Sequence, residues 1–428
     1  MSASETTPGR ALAPPPQPQP IATWVIVLAL SLLTGLQPIT TDLYLPALPQ
    51  MQRALGLSAS SAQWTLSVLI LAFGVGQLVW GPVADRFGRR PVLRWGLGFY
   101  VLSSVLTTVA NDLALMVTAR AAQGASLSAA VVCGRAMIRD LYVPDEGARM
   151  MAKGMSGLGI IALGGPILGG LTATHMGWRA TMGLLAVAGM LTWLFVWTRL
   201  PETLPHERRQ THLNWPAMLR NWWRISLHPT FRAHALLTSS TYGGLFVYLA
   251  LSAFVFIDVL GTERTVYGAG MATISFSYLI GTFFCRRWLP SHGLTGTVRL
   301  AGWCSLAGGL ALVAVSVAQL EWGWQPRAWN LLPGMWLYAF AHGIHQPCGQ
   351  TGVVSAFPTQ AGAASALSGF VLSSIAFVIG AIVSWWTSLP AWSGTIHPMT
   401  LGMGIGGAVT AWVALGRVQR DGRVGAGA

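Results

Sequence analysis

Twelve stretches of this chain stay apolar long enough to cross a bilayer. They cover residues 22–45, 62–83, 92–110, 113–137, 149–174, 180–199, 233–257, 267–285, 297–319, 329–355, 363–387 and 396–416. A helix rising 1.5 Å per residue needs about 20 residues to cross about 30 Å of hydrocarbon. Short polar connections separate most runs, and the longest hydrophilic stretch, 200–232, divides them six and six. The pattern predicts an all-α membrane protein with 12 transmembrane helices in two six-helix bundles, residues 22–199 and 233–416, joined by a linker at 200–232. Residues 1–21 hold Pro14-Pro15-Pro16-Gln17-Pro18-Gln19-Pro20 and read as a disordered proline-rich tail. Residues 417–428 form a second tail. The first run exceeds a signal-peptide core and lacks a convincing cleavage site, so it is read as an uncleaved helix.

Composition agrees with this pattern. Of 428 residues, 53% are hydrophobic and 9% charged, against about 25% charged in soluble domains. With a mean hydropathy of +0.54, this excludes an ordinary soluble protein and a disordered one. The net charge of +13 raises nucleic acid as a partner. No run of five basic residues and no aromatic-basic face supports that partner.

Instead the basic residues report orientation. Of the 26, twenty fall on the side that holds both tails, and only Arg53, Arg179, Arg264 and Arg327 on the other. Lys and Arg accumulate on the cytoplasmic side, so both termini are expected in the cytoplasm. Cys133, Cys285, Cys304 and Cys348 all lie in apolar runs without a CxxC. They read as small buried residues, not disulfides or metal ligands.

Within the linker, Trp215, Trp222 and Trp223 alternate with Arg220 and Arg224. That mixture suggests an amphipathic helix on the inner membrane surface, the alternative being a plain connection. No catalytic triad, metal cluster or nucleophile elbow is found, so an enzyme is not expected. No G-x-x-x-x-G-K-[ST] loop is present, and no cofactor is implied.

Three segments carry more specific patterns. After the second run the chain reads Gly81-Pro82-Val83-Ala84-Asp85-Arg86-Phe87-Gly88-Arg89-Arg90-Pro91. Gly81 and Gly88 suit a tight turn, and Asp85 can pair with an arginine or a helix end. This loop resembles G-x-x-x-D-R-x-G-R-R, the signature of the major facilitator superfamily. The resemblance implies a conformational latch made by Gly81, Asp85, Arg86, Gly88, Arg89 and Arg90, closed when the protein faces outward and broken when it opens inward. The fourth run carries Arg120-Ala121-Ala122-Gln123-Gly124. A charge there must face a partner or a cavity, or snorkel to the headgroups. The segment is similar to the family's R-x-x-Q-G motif, which implies a part for Arg120 in proton coupling. The fifth run carries Gly164-Gly165-Pro166-Ile167-Leu168-Gly169-Gly170. Such a run permits close helix packing and a kink. Gly165, Pro166, Gly169 and Gly170 resemble the antiporter motif G-P-x-x-G-G, which implies export; Ile161, where a small residue is expected, departs from it.

Thr41–Pro49, Arg135–Tyr142, Leu200–Pro205 and Ala361–Phe370 together resemble the Bcr/CflA drug-resistance transporters. That resemblance implies a proton-driven multidrug antiporter of the bacterial inner membrane, acting by alternating access. Its partners would be protons, drug-like amphiphiles and membrane lipid, and its state a monomer. The alternative is a proton-coupled exporter of a metabolite or amino acid on the same fold. The corresponding second-half loop, around Arg286 and Arg287, is degenerate.

Of the 13 acids, only Asp42 falls near a central cavity, so it is the expected proton carrier, burial raising and Arg120 lowering its affinity for a proton. The competing reading makes Asp42 a cap on the turn before Pro46. Family members with a second acid two turns earlier have their counterpart here in Thr34, so a single-acid scheme is expected. His342 and His345 share a helix face and titrate near neutral pH when unperturbed; packing between helices is the plainer reading. Gln37, Thr41, Tyr44, Gln123, Tyr242, Phe246 and His345 are the expected substrate-cavity residues.

Overall fold

The computed structural model describes residues 22–422. The expected disordered tail at 1–21 and the end of the second tail, 423–428, lie outside the described residues.

The chain folds into helices α1 (Thr23–Asp42), α2 (Leu48–Ala54), α3 (Ala59–Phe87), α4 (Arg89–Val109), α5 (Leu113–Leu141), α6 (Pro144–His175) and α7 (Trp178–Arg199). There follow α8 (Trp215–Leu227), α9 (Pro229–Ala253), α10 (Arg264–Trp322), α11 (Ala328–Ser355), α12 (Ala361–Ser388), α13 (His397–Trp412) and α14 (Val418–Asp421). No strand occurs among the described residues. Local signals explain several boundaries. The Ser58 hydroxyl accepts from the Ser61 N–H at 3.0 Å, and Asp112 accepts from the Leu115 N–H at 2.8 Å, each satisfying an N–H that the first helical turn leaves open. Gly88, at φ 99°, separates α3 from α4 in a conformation that a side chain would strain.

Ten helices meet the length and hydropathy of a membrane span. One of them, α10, is 59 residues long, about twice what a bilayer needs. Gly293, at φ 64° and ψ 179°, breaks it into two antiparallel passes. The remaining pass is α11, whose 28 residues suffice for a crossing but include His342, His345, Gln346 and Gln350. Twelve crossings result, as the apolar runs predict.

One bundle comprises α1 and α3–α7, around Leu30, Leu33, Leu97 and Leu127. The other comprises α9–α13, around Leu237, Val298, Ile344 and Cys348. They meet along two seams, α3 against α12 and α6 against the first pass of α10. Small residues permit the approach: a Cβ on Gly170 would stand 2.7 Å from the Arg264 carbonyl oxygen. The linker forms a helix, α8. It buries Trp222 and Ile225 among Phe231 and Leu367, while Trp223 and Leu219 stay exposed.

The halves close over one end. On the face away from the termini, Tyr44, Leu48 and Trp178 of the first half share an apolar cluster with Phe254, Tyr267 and Met399 of the second. An ion pair from Arg53 to Asp258, at 2.7 Å, bridges the same face.

Candidate functional site

Between the bundles lies a cavity of about 270 Å³. It sits on the terminal-face side of the apolar seal. The first half contributes Gln37, Thr41, Asp42, Met151 and Met155, and the second Tyr242, Tyr248, Tyr278, His342 and Gln346. Asp42 is the one acid among the described lining residues. It ends α1, half-buried, and its Oδ1 accepts from the Thr41 hydroxyl at 2.7 Å. Pro38, one turn earlier, cannot donate to the Thr34 carbonyl and loosens the helix there.

Arg120 is fully buried and does not snorkel. Its Nη1 donates to Gln123 Oε1 at 2.7 Å, Nη2 to the Thr40 carbonyl at 3.3 Å and Nε to the Thr65 carbonyl at 3.4 Å. The guanidinium lies 4.1 Å over the Tyr44 ring. Gln123 donates onward to the Ser104 hydroxyl at 2.7 Å, and Tyr100 and Thr40 hydroxyls pair at 2.7 Å. This network joins α1, α3, α4 and α5. Arg120 therefore touches α1 at the Thr40 carbonyl, two residues before Asp42, and makes no ion pair with Asp42.

Four cavity expectations need correction. Tyr44 and Gln123 are fully buried and serve the Arg120 network, the Tyr44 ring lying under the guanidinium. Phe246 is buried behind Tyr242, ring centroids 6.4 Å apart. His345 is fully buried, with Nε2 3.2 Å from the Val298 carbonyl in the second pass of α10. His342 takes the cavity position instead. Three residues of helix separate the pair by about 60° around the axis, enough to send one ring into the cavity and the other between helices. The sequence reading also missed Met151, Met155 and Tyr278; only the relative rotation of α6 and α10 identifies them. Arg135, which lies within the fourth apolar run and opens the Arg135–Tyr142 segment, also borders the cavity.

The residues of the expected latch form a cluster. Arg89 is buried, with Nη1 2.6 Å from Asp85 and Nε 2.9 Å from Asp140. The Glu202 carboxylate accepts from the Arg89 and Arg90 backbone N–H groups at 2.9 and 3.2 Å, capping α4 from the linker that follows α7. It also lies against Gly88, where a Cβ would clash. Arg90 reaches the Trp197 carbonyl at 3.0 Å, and Arg86 lies over Phe87, 5.2 Å from the ring centroid. Gly81 has room for a Cβ, with only Val132 at 4.0 Å. All these ties stay within the first half and the linker. A cavity of about 240 Å³ separates Asp85 and Arg89 from Gly362 and Ala363 at the start of α12.

On α6, a Cβ on Gly169 would strike the Leu43 carbonyl, directly after Asp42, and Gly170 faces Arg264 across the seam. The Pro166 carbonyl receives Gly268 of α10. Gly165 has open space beside it, so packing does not demand glycine there.

The family model described as Major Facilitator Superfamily matches residues 30–381. The chain belongs to the major facilitator superfamily. Among superfamily relatives, a chloramphenicol resistance protein of Pseudomonas aeruginosa is 28% identical, covering 88% of this chain and 87% of the relative. A bicyclomycin resistance protein homolog of Haemophilus influenzae is 24% identical over 85% of this chain and 89% of its own length. Multidrug resistance protein D of Escherichia coli is 28% identical over 80% and 84%. The same fold appears in the crystal structure of a D-xylose–proton symporter, with a TM-score of 0.71 and 14% identity over 92% of this chain and 97% of that one. A bacterial homolog of the human lysosomal transporter Spinster, in an inward-facing and occupied conformation, gives a TM-score of 0.69 at 14% identity over 94% and 97%. This chain is thus a multi-pass membrane transporter of the superfamily.

Proposed function

We propose that this protein is a proton-driven efflux antiporter. It exports small amphiphilic compounds across the bacterial inner membrane by alternating access. Chloramphenicol, for which the P. aeruginosa relative is named, is the first candidate. The observation that carries this reading is Asp42, the single carboxylate among the described residues in the wall of a cavity between two bundles. An anion there competes for a proton and for a substrate donor group. Protonation releases the substrate, and deprotonation readies the site for the next. Each proton entering down a membrane potential supplies about 2.3 kcal/mol per 100 mV.

The termini are cytoplasmic, in line with the Arg bias, so the cavity faces inward and the Arg53–Asp258 pair closes the outer gate. The halves, 22–199 and 233–416, rock as units, as a monomer in the lipid bilayer. Arg120 is a positioning residue: it holds the Thr40 carbonyl and so fixes the end of α1. Gly169 and Gly170 let α6 ride on Leu43 and Arg264 as the halves move. Outward-facing closure brings the start of α12 onto the Asp85–Arg89 cluster and closes the gap between them.

The test uses inverted membrane vesicles with an energised proton gradient. Chloramphenicol, and in turn other amphiphiles, should trigger proton efflux in wild type but not in Asp42→Asn. Efflux that survives in Asp42→Asn would remove Asp42 from coupling. A response only to cellular metabolites would replace the drug reading with the metabolite-exporter one.

A further inference from the structure

The cavity wall contributed by the second half carries its own hydrogen-bonding logic. Thr241 is fully buried, and the single partner of its hydroxyl among the described residues is His342 Nδ1, at 3.1 Å. A hydroxyl always has a proton to give, and a buried donor left without an acceptor costs about 1–3 kcal/mol. Thr241 therefore donates and Nδ1 accepts. In a neutral imidazole the ring proton then sits on Nε2. Nε2 has no protein partner among the described residues, yet it is absent from the buried unpartnered atoms, so it keeps surface in the cavity that His342 lines. The ring stands between Tyr242, with centroids 6.2 Å apart, and Tyr278, at 5.6 Å, each tilted by about 40°.

We propose that His342 is a specificity-determining residue: its Nε2–H donates into the cavity and selects compounds that pair a carbonyl-type acceptor with an aromatic ring. The ring lies against the Tyr242–His342–Tyr278 wall, where offset or tilted aromatic contacts are favoured. The acceptor meets Nε2–H. A hydroxyl or amide N–H of the same compound meets the Asp42 carboxylate on the opposite wall. One half of the transporter thus reads an acceptor and the other a donor, so a substrate must bridge both halves to satisfy them. A site built around a buried hydrogen-bonding group discriminates strongly against ligands that leave it unpaired. Chloramphenicol carries an aromatic ring, an amide carbonyl and two hydroxyls, and fits this class. The inference rests on the proposed efflux function and names the substrate class of that same site.

The test is equilibrium binding of chloramphenicol to the purified full-length protein in detergent, with gel filtration confirming that each variant elutes as wild type. His342→Gln places an amide N–H near the Nε2 position and should bind within about twofold of wild type. His342→Phe keeps a ring without the donor and should bind about tenfold more weakly, the loss of one hydrogen bond. Thr241→Val releases the tautomer and should weaken binding about threefold. A His342→Phe variant that binds as wild type does would overturn the assignment and leave the efflux function standing. Equal weakening in His342→Gln and His342→Phe, with Thr241→Val unchanged, would also overturn it, because shape and not the donor would then matter. Absence of binding by wild type to chloramphenicol and to other aromatic amides would overturn both the assignment and the drug-efflux reading.

Discussion

Two arginines are buried in the first bundle, and they are held in opposite ways. Arg89, near the terminal face, is neutralised by Asp85 and Asp140, with the Glu202 carboxylate on its backbone. Arg120, in the body of the bundle, meets two carbonyls, one amide oxygen and a tyrosine ring, all of them neutral. Moving a charge out of water costs several kcal/mol even after relaxation. Arg89 offsets that cost with opposite charge and Arg120 with oriented dipoles. The acid-paired arginine is a local clasp whose positive charge is met by two carboxylates. The dipole-held arginine keeps its positive charge inside the bundle, tied to the backbone that carries Asp42.

The strongest way to break this contrast is at Arg120. Arg120→Ala strips partners from the Thr40 and Thr65 carbonyls and from Gln123, with an expected loss of about 3 kcal/mol or more. Thermal melting in detergent should drop sharply and transport should vanish. Arg120→Lys keeps the charge but not the planar fork. It should fold and transport poorly. Lys activity equal to wild type would show that charge alone matters and that the fork does not position α1.

The next effect is a cycle at the clasp. Arg89→Leu leaves both Asp85 and Asp140 without their arginine and should cost about 3 kcal/mol, whereas Asp140→Leu leaves Arg89 with Asp85 and should cost about 1 kcal/mol. The double variant should be more stable than the sum of the singles by at least about 1 kcal/mol. Additive losses would mean that the 2.9 Å pair contributes nothing beyond packing. No such rescue is available to Arg120, which has no charged partner to remove. The smallest effect is expected from Glu202→Gln, which keeps an acceptor for the start of α4 but removes its charge. A loss of about 1 kcal/mol should appear in melting while Asp42-dependent transport persists. Transport abolished by Glu202→Gln would give the cap a part in the cycle and not only in the fold.

Much of this site was legible in the chain because single residues are anomalous in an apolar background. Asp42 and Arg120 stand out as charges inside apolar runs, Asp85 stands out by its place in a charged loop, and their motifs name the family. Glu202 was visible only as part of a six-residue signature. Its act of capping α4 joins residues 113 apart, a distance that no local pattern spans. Tyr44 and Gln123 were expected in the cavity, as an aromatic and an amide within apolar runs. Instead both contact the Arg120 guanidinium, Tyr44 with its ring and Gln123 with its amide oxygen.

Hydropathy by itself predicted the twelve crossings and the six-plus-six division, because the cost of burying polar backbone and charge in lipid is large and additive along the chain, and the uneven spread of arginines gave the sidedness expected of the termini. Only the tertiary structure decided which polar side chains face the cavity. His342 and His345 have the same chemistry and differ by about 60° around one helix. The packing of α11 against α9 and α10 turned one toward the cavity and gave the other to the Val298 carbonyl, and that rotation is a property of neighbouring helices that a linear pattern does not contain.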